Sequence, residues 1–225
     1  AGNMREYNSL YEFLLTNNMA NASNYALAKE KINIENWVDY MITEIYFANH
    51  DWIPMYHNNM RCFRERKPNA KWNYLLWDCA FSQDNGGQSC TGCDVLNIVL
   101  TNNSTRLGQM FNSLIDNTEF KNYFINRFAD VMNYVYSHQR IMTCIDENTD
   151  AMISEMDAHG ARWNTNNAAA VLNEVQYIKD FHQNRKAAQR NQIVNNFNLP
   201  KQVTITIQAN PDEAGYVKIS TIIPT

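Results

Sequence analysis

Residues 49–81, NHDWIPMYHNNMRCFRERKPNAKWNYLLWDCAF, decide how this chain folds. The stretch opens with an acidic residue, Asp51, at the start of a loop, and continues to a pair of amides, Asn58 and Asn59. It closes with a second acidic residue, Asp78, directly after an apolar run. Carboxylate and amide oxygens are the ligands that hard divalent cations prefer. The stretch therefore offers oxygen atoms of the kind that hold a hard divalent cation.

A β-hairpin is predicted between the amides and Asp78. Residues 59–65 and 71–77 read as strands, and Pro, Asn and Ala at residues 68–70 form the turn between them. Both faces of the second strand are largely apolar, which predicts that it is buried. A carboxylate at the end of a buried strand is costly unless it is paired or bound to a metal, so Asp78 is the best metal candidate. The alternative is an ion pair with a cation of the neighbouring strand: Arg61, Arg64 or Arg66.

Helices are predicted on both sides of this hairpin. Residues 34–49 place Trp37, Met41 and Ile45 on one apolar stripe, which is typical of a buried helix. Further helices are predicted over residues 118–136, 137–163 and 166–195, whereas residues 82–105 read as a long polar loop with a brief apolar run. After Pro200 the sequence VTITI alternates strictly, which predicts a C-terminal β-hairpin. The fold class is therefore α+β, mainly α with a central hairpin at residues 59–77. Residues 1–199 form one domain, and residues 200–225 begin a β-rich module.

Composition excludes several classes of protein. The 225 residues are 45% apolar, which favours a globular core, and the net charge of −4 lacks the basic excess expected of a nucleic-acid-binding protein. The chain contains no run of about 18 apolar residues, so no transmembrane helix is predicted. The five cysteines are an odd number, which argues against a full disulfide framework. Cys90 and Cys93 form a single CxxC motif, which fits two loop thiols or a local disulfide better than a zinc site.

These segments resemble the CotH kinase family, spore-coat and surface proteins with an atypical protein-kinase-like fold. The resemblance lies in ENWVDYMITEIYFANHDW, in HNNMRCFRERKPNAKWNYLLWD and in FKNYFINRFADVMN. It implies a kinase-like C-lobe in which Asp51 is the catalytic-loop acid, Asn58 or Asn59 the metal-holding amide, and Asp78 the metal-binding acid. The implied activity is transfer of the ATP γ-phosphoryl group to Ser hydroxyls of partner proteins with Mg²⁺ or Mn²⁺. The implied location is extracellular or at the cell surface.

Two departures from the family pattern define an alternative function. Ala80 stands where the family usually has a second Asp after the hairpin, because the sequence reads WDCA. No part of the chain matches the N-terminal lobe that would cover the phosphates, so we expect tight ATP binding only in the full-length protein. The alternative is a catalytically inactive, secreted or surface binding module on the same scaffold. A metal-dependent hydrolase is a third hypothesis, but the sequence offers no nucleophile motif for it.

Overall fold

The computed structural model describes residues 4–53, 57–84, 90–206, 211, 215–216 and 218–222. In chain order the elements are α1 (Arg5–Thr16), α2 (Ala22–Lys31), α3 (Ile34–Tyr46), β1 (Arg61–Phe63), β2 (Asn73–Leu75), α4 (Val95–Thr101), α5 (Arg106–Ile115), α6 (Thr118–Asp130), α7 (His138–Met152), α8 (Met156–Trp163) and α9 (Ala168–Asn196). A π-helical turn, Val131–Val135, extends α6, and a 3₁₀ turn, Ile153–Glu155, separates α7 from α8. The predicted fold class, mainly α with a central β-hairpin, is confirmed.

Helix α3 lies in the middle of the core. Trp37, Met41 and Ile45 are fully buried, as the stripe predicts, and the helix packs against β2, α4 and α6. Asn33 begins it, because its side chain accepts a hydrogen bond from the backbone N–H of Asn36. A helix buried on most sides is held rigidly, so the loop that follows its last turn starts from a fixed point.

The central hairpin pairs β1 with β2 in antiparallel register, with Cys62 opposite Tyr74. Its strands are shorter than the predicted residues 59–65 and 71–77. The expected burial of the second strand is wrong beyond Tyr74, since Leu75 and Trp77 are 47% and 53% exposed. Tyr74 stacks on Trp37 with ring centroids 5.7 Å apart. Only this face of the two-stranded sheet meets the core, and an antiparallel sheet can leave its other face open to solvent.

The predicted loop at residues 82–105 contains helix α4, so that part of the prediction is wrong. The side chain of Asp94 accepts a hydrogen bond from the N–H of Asn97 at 2.9 Å and begins the helix. Burial of Val95, Leu96 and Val99 then holds it against the core. Just before it, Cys90 and Cys93 form a disulfide, which is one of the two alternatives the sequence allows.

The described part of the tail lies against α6. Thr221 donates from its backbone N–H and its hydroxyl to Asp130 Oδ2, at 2.8 and 2.6 Å. Residues 201–206 are not in a strand, and Ile219 and Ile222 form an isolated bridge. Much of the predicted C-terminal hairpin lies outside the described residues, so that hairpin and the domain boundary before it remain predictions. No described helix has the length and apolarity needed to cross a bilayer.

Candidate functional site

The loop after α3 carries the first acidic residue of the site. Asn49 is fully buried, and its side-chain Oδ1 accepts a hydrogen bond from the backbone N–H of Asp51 at 3.0 Å. The next residue, Trp52, is also fully buried and donates from Nε1 to the hydroxyl of Tyr40 on α3 at 2.8 Å. Asp51 itself is only partly buried. Its backbone is thus anchored on both sides, while its carboxylate lies where solvent or a ligand can reach it.

Asn59 joins the two acidic segments. Its side-chain Nδ2 donates to Asp51 Oδ2 at 2.7 Å and to the backbone carbonyl of Asp78 at 3.4 Å. Asn59 is 5% exposed and has a φ of 55°, a left-handed conformation in which Asn is tolerated. Because Nδ2 is engaged by Asp51, the Oδ1 atom is the one suited to coordinate a cation. The structure brings together Asp51, Asn59 and the Asp78 backbone, residues up to 27 positions apart.

We call the contact of Asn59 with Asp51 and with the Asp78 backbone the junction, and Asn58 is not part of it. It is exposed, as is His57 before it, whereas Asn59 faces Asp51. The sequence left the choice between the two amides open, and the geometry favours Asn59 as the residue that contacts the carboxylate.

The Asp78 side chain is exposed, contrary to the buried environment inferred from its apolar neighbours. Asp78 has a φ of 52°, and its Oδ1 accepts a hydrogen bond from the backbone N–H of Ala80 at 3.4 Å. The alternative was an ion pair between Asp78 and an arginine of the hairpin, but two of these arginines have other partners. Arg64 pairs with Glu6 at 3.5 Å, and Arg61 lies over the Trp77 ring at 5.5 Å. Because Asp78 is exposed, the argument that burial forces it to bind a metal does not apply. Its carboxylate is nevertheless accessible to a cation from solvent.

The segment after Asp78 is held against the loop that contains Asp51. The backbone N–H of His50 donates to the carbonyl of Phe81 at 3.0 Å, and that of Gln83 donates to the carbonyl of Phe47 at 2.8 Å. The Gln83 side chain also meets the ring of His182 on α9 at 2.7 Å. Burial, with the nearby guanidinium of Arg185, lowers the pKa of His182 to about 4, so this contact involves a neutral ring at pH 7.

Arg185 of α9 supports the same region through contacts with the end of α3 and with the loop that contains the Cys90–Cys93 disulfide. It is fully buried and donates to backbone carbonyls on both the end of α3 and the disulfide loop, and to one side chain: Ile45, Tyr46, Thr91, Cys93 and Gln189. The last carbonyls of a helix have no partner within the helix, and a cation there also interacts favourably with the helix dipole. Burial lowers the pKa of Arg185 to about 10, so the guanidinium stays charged at pH 7.

Glu44 is a site residue that sequence reasoning missed. It lies on α3 with no exposed surface, and its Oε2 accepts a hydrogen bond from Asn49 Nδ2 at 2.8 Å. Among the described residues its other oxygen, Oε1, has no hydrogen-bond partner. Burial raises the pKa of Glu44 to about 7, against the smaller opposing effect of the Asn49 hydrogen bond. Helical spacing offers the missing signal, since Glu44 follows Trp37 and Tyr40 at i+7 and i+4 on the apolar face.

Two neighbouring groups are uncharged and argue against other chemistries. Burial raises the pKa of the Cys79 thiol to about 11, and the nearby carboxylates of Glu44 and Asp78 add to this effect. A protonated thiol is neither a nucleophile nor a metal ligand. Burial likewise lowers the pKa of His50, so the imidazole is neutral at pH 7. The acidic groups of this part of the site are therefore the carboxyl groups of Asp51, Asp78 and Glu44.

The donors at the junction fit a magnesium ion that is also bound by a phosphate. Within the described ranges there is no group of three or more His, Cys, Asp or Glu side chains that would hold a metal by themselves. Mg²⁺ commonly takes one or two carboxylates, with waters and substrate phosphates completing its coordination. The exposed carboxylate of Asp78 and the Oδ1 of Asn59 are ligands of this kind.

Comparison with known proteins gives one match. The family model described as CotH kinase protein matches residues 2–188, which is most of the chain and includes every residue of the junction. No curated protein and no solved structure matches the chain.

Proposed function

This chain belongs to the CotH kinase family, and we propose that its kinase-like domain transfers the γ-phosphoryl group of ATP to Ser hydroxyls of a partner protein, with Mg²⁺ or Mn²⁺. The observation that carries the proposal is the Asn59 amide, whose Nδ2 lies 2.7 Å from the Asp51 carboxylate and 3.4 Å from the Asp78 carbonyl. This junction joins the acid that would receive a proton to the segment that would hold the cation.

Asp51 is the residue proposed to act on the hydroxyl. Its carboxylate would accept a hydrogen bond from the attacking Ser and orient the oxygen toward the γ-phosphorus. As the new P–O bond forms and the bond to the leaving oxygen of ADP breaks, the hydroxyl proton passes to Asp51. The hydrogen bond from Asn59 holds the Asp51 carboxylate in one orientation. Such positioning of the reacting groups is the protein's main contribution to a reaction of this kind.

Asp78 and Asn59 are the residues proposed to hold the metal. When bound, the cation would neutralise negative charge on the phosphates. The exposed face of the hairpin borders Asp78 and presents Phe63, Leu75 and Trp77, which are 45–53% exposed. Hydrophobic and aromatic side chains are the groups that line most small-molecule sites, so these exposed residues support ATP as the donor.

A location outside the cell or at its surface is part of the proposal. The Cys90–Cys93 disulfide supports it, because such bonds persist in oxidising compartments.

The test is binding of Mg-ATP and Mn-ATP to the full-length protein by calorimetry, followed by transfer of labelled phosphate to a Ser-containing acceptor. Asp78→Ala is expected to abolish nucleotide binding while leaving the fold intact, because its side chain is exposed. Asp150→Ala, which removes an exposed carboxylate from α7, is the matched control and should bind as the unmodified protein does. Equal binding by Asp78→Ala and the unmodified protein would refute the metal assignment.

A catalytically inactive binding module is the second candidate. Ala80 favours it, because the position lacks the second carboxylate of the family pattern, and the uncovered apolar residues of the hairpin offer a surface for a partner. Absence of metal–nucleotide binding by the intact protein would select this candidate over the kinase.

A further inference from the structure

A continuous chain of hydrogen bonds runs from the interior of α3 to the candidate acid. Glu44 Oε2 accepts from Asn49 Nδ2 at 2.8 Å, Asn49 Oδ1 accepts from the backbone N–H of Asp51 at 3.0 Å, and Asp51 Oδ2 accepts from Asn59 Nδ2 at 2.7 Å. The side chain of Asn49 thus donates at one end and accepts at the other. A side-chain amide can make both bonds without carrying charge.

The interior end of this chain is costly. Glu44 and Asn49 have no exposed surface, and the Oε1 atom of Glu44 has no partner among the described residues. Burying a carboxyl with one oxygen unpaired opposes folding, and an apolar side chain of similar size would pack there without that cost. Tyr40 and Cys79, which lie near Glu44, are protonated and uncharged at pH 7, so neither supplies a compensating cation.

We propose that Glu44 and Asn49 are positioning residues that fix the backbone of Asp51, and through it the direction of the Asp51 carboxylate, for phosphoryl transfer. The inference rests on the proposed function for its kinetic consequence but not for its structural one. Asn49 holds the backbone N–H of Asp51, and Glu44 fixes the orientation of the Asn49 amide, since an oxygen of Glu44 accepts the hydrogen bond from the Asn49 amide nitrogen. Asn59 is linked to these two residues only through Asp51, and the hydrogen bonds of Asp78 do not include either of them.

The kinetic test separates turnover from nucleotide binding. Asn49→Ala is expected to lower kcat by ~10- to 100-fold, because small misplacement of a reacting group costs rates of this order. The dissociation constant for Mn-ATP should change by less than about twofold, since the metal ligands remain. Asn49→Asp keeps an oxygen for the Asp51 N–H but loses the donor to Glu44, so its kcat should lie between those of Asn49→Ala and the unmodified protein. Asn117→Ala is the control. Asn117 is also a buried Asn, but it begins α6 and makes no hydrogen bond with the described residues of the candidate site.

The structural test does not require activity. Hydrogen–deuterium exchange of the full chain, read by mass spectrometry, is expected to quicken in the peptide containing residues 50–53 of Asn49→Ala and to stay unchanged there in Asn117→Ala. If the unmodified protein transfers no phosphate, the proposed function fails, and local exchange alone decides the positioning role. Unchanged exchange at residues 50–53 would overturn the inference. So would parallel losses of kcat, nucleotide binding and global protection, because they would show a role in the fold alone.

Discussion

Replacing Glu44 with Gln is expected to stabilise the protein at pH 8 and to change its stability little at pH 4. Glu44 is fully buried, and burial raises the pKa of its carboxyl from the ordinary 4.5 to about 7. The folded protein therefore binds this proton more tightly than the unfolded chain does. Below pH 4.5 both states are protonated, and the residue adds no penalty. Between pH 4.5 and about 7 the unfolded chain releases this proton while the folded carboxyl keeps it, so stability falls across this range and the loss is complete once the folded carboxyl ionises.

The magnitude follows from the size of the pKa change. One pKa unit corresponds to about 1.4 kcal/mol, so a rise from 4.5 to about 7 gives about 3 kcal/mol of destabilisation above pH 7. Gln cannot ionise, and its side-chain oxygen can still accept the hydrogen bond from Asn49. For a protein of 225 residues a gain of this size corresponds to a rise in Tm of about 6–12 °C.

Urea unfolding followed by circular dichroism at pH 4, 6 and 8 measures the effect. The free energy of unfolding of Glu44→Gln minus that of the unmodified protein should grow from near zero at pH 4 to its full value at pH 8. Glu35→Gln is the matched control, because Glu35 is an exposed residue on the same helix and should give no such trend. A difference that is constant with pH, or a loss of stability at pH 8, would refute the argument that the Glu44 carboxyl is desolvated.

Two further substitutions test the supports of the site. Arg185→Met should lower the free energy of unfolding by about 3–5 kcal/mol, because it removes a charged donor from four backbone carbonyls, two of them on the fully buried Ile45 and Tyr46, and from the Gln189 side chain. Arg162→Met, at an exposed position of α8, should change it by less than about 0.5 kcal/mol, and similar losses for both would contradict the capping role. Asn117→Ala should cost about 2 kcal/mol in urea unfolding, because the side chain begins α6 and also donates to the carbonyl of Met19 at 2.8 Å; a cost near zero would mean that water replaces both bonds.

The sequence predicted the elements whose pattern is long or whose turn is well marked. Trp37, Met41 and Ile45 recur with helical spacing, and α3 is where that stripe places it. Helix α4 was missed because VLNIVL is a short apolar run that fits a strand, a buried helix or a loop equally well. Its helical state depends on the cap by Asp94 and on packing against α9, neither of which has a periodic signal.

The candidate site was predictable in its order but not in its contacts. Asp51, the Asn pair and Asp78 stand out as polar residues around a hairpin, and the structure joins Asn59 to both acidic segments. The choice between Asn58 and Asn59 depends on backbone direction, which positive φ values at this loop reverse from one residue to the next. The exposure of Asp78 was missed for a different reason. An apolar strand predicts burial only where another layer covers it, and in the described structure no layer covers this face of the hairpin.

Backbone strain supports the same assignment by an independent route. Of the ten described non-glycine residues with positive φ, seven lie within residues 48–84: Ala48, His57, Asn59, Asn69, Asp78, Gln83 and Asp84. A left-handed conformation costs an L-residue such as Ala about 1 kcal/mol, and glycine would adopt it freely. The chain has seven glycines, yet none occupies these positions. Strain of this kind persists where surrounding structure imposes it, and it concentrates at functional sites. The strained loop is also the one that the costly Glu44 carboxyl supports through Asn49. Two unrelated costs to stability, the strained residues Ala48, His57 and Asn59 and the buried Glu44 carboxyl, therefore occur in the segments that flank and support Asp51.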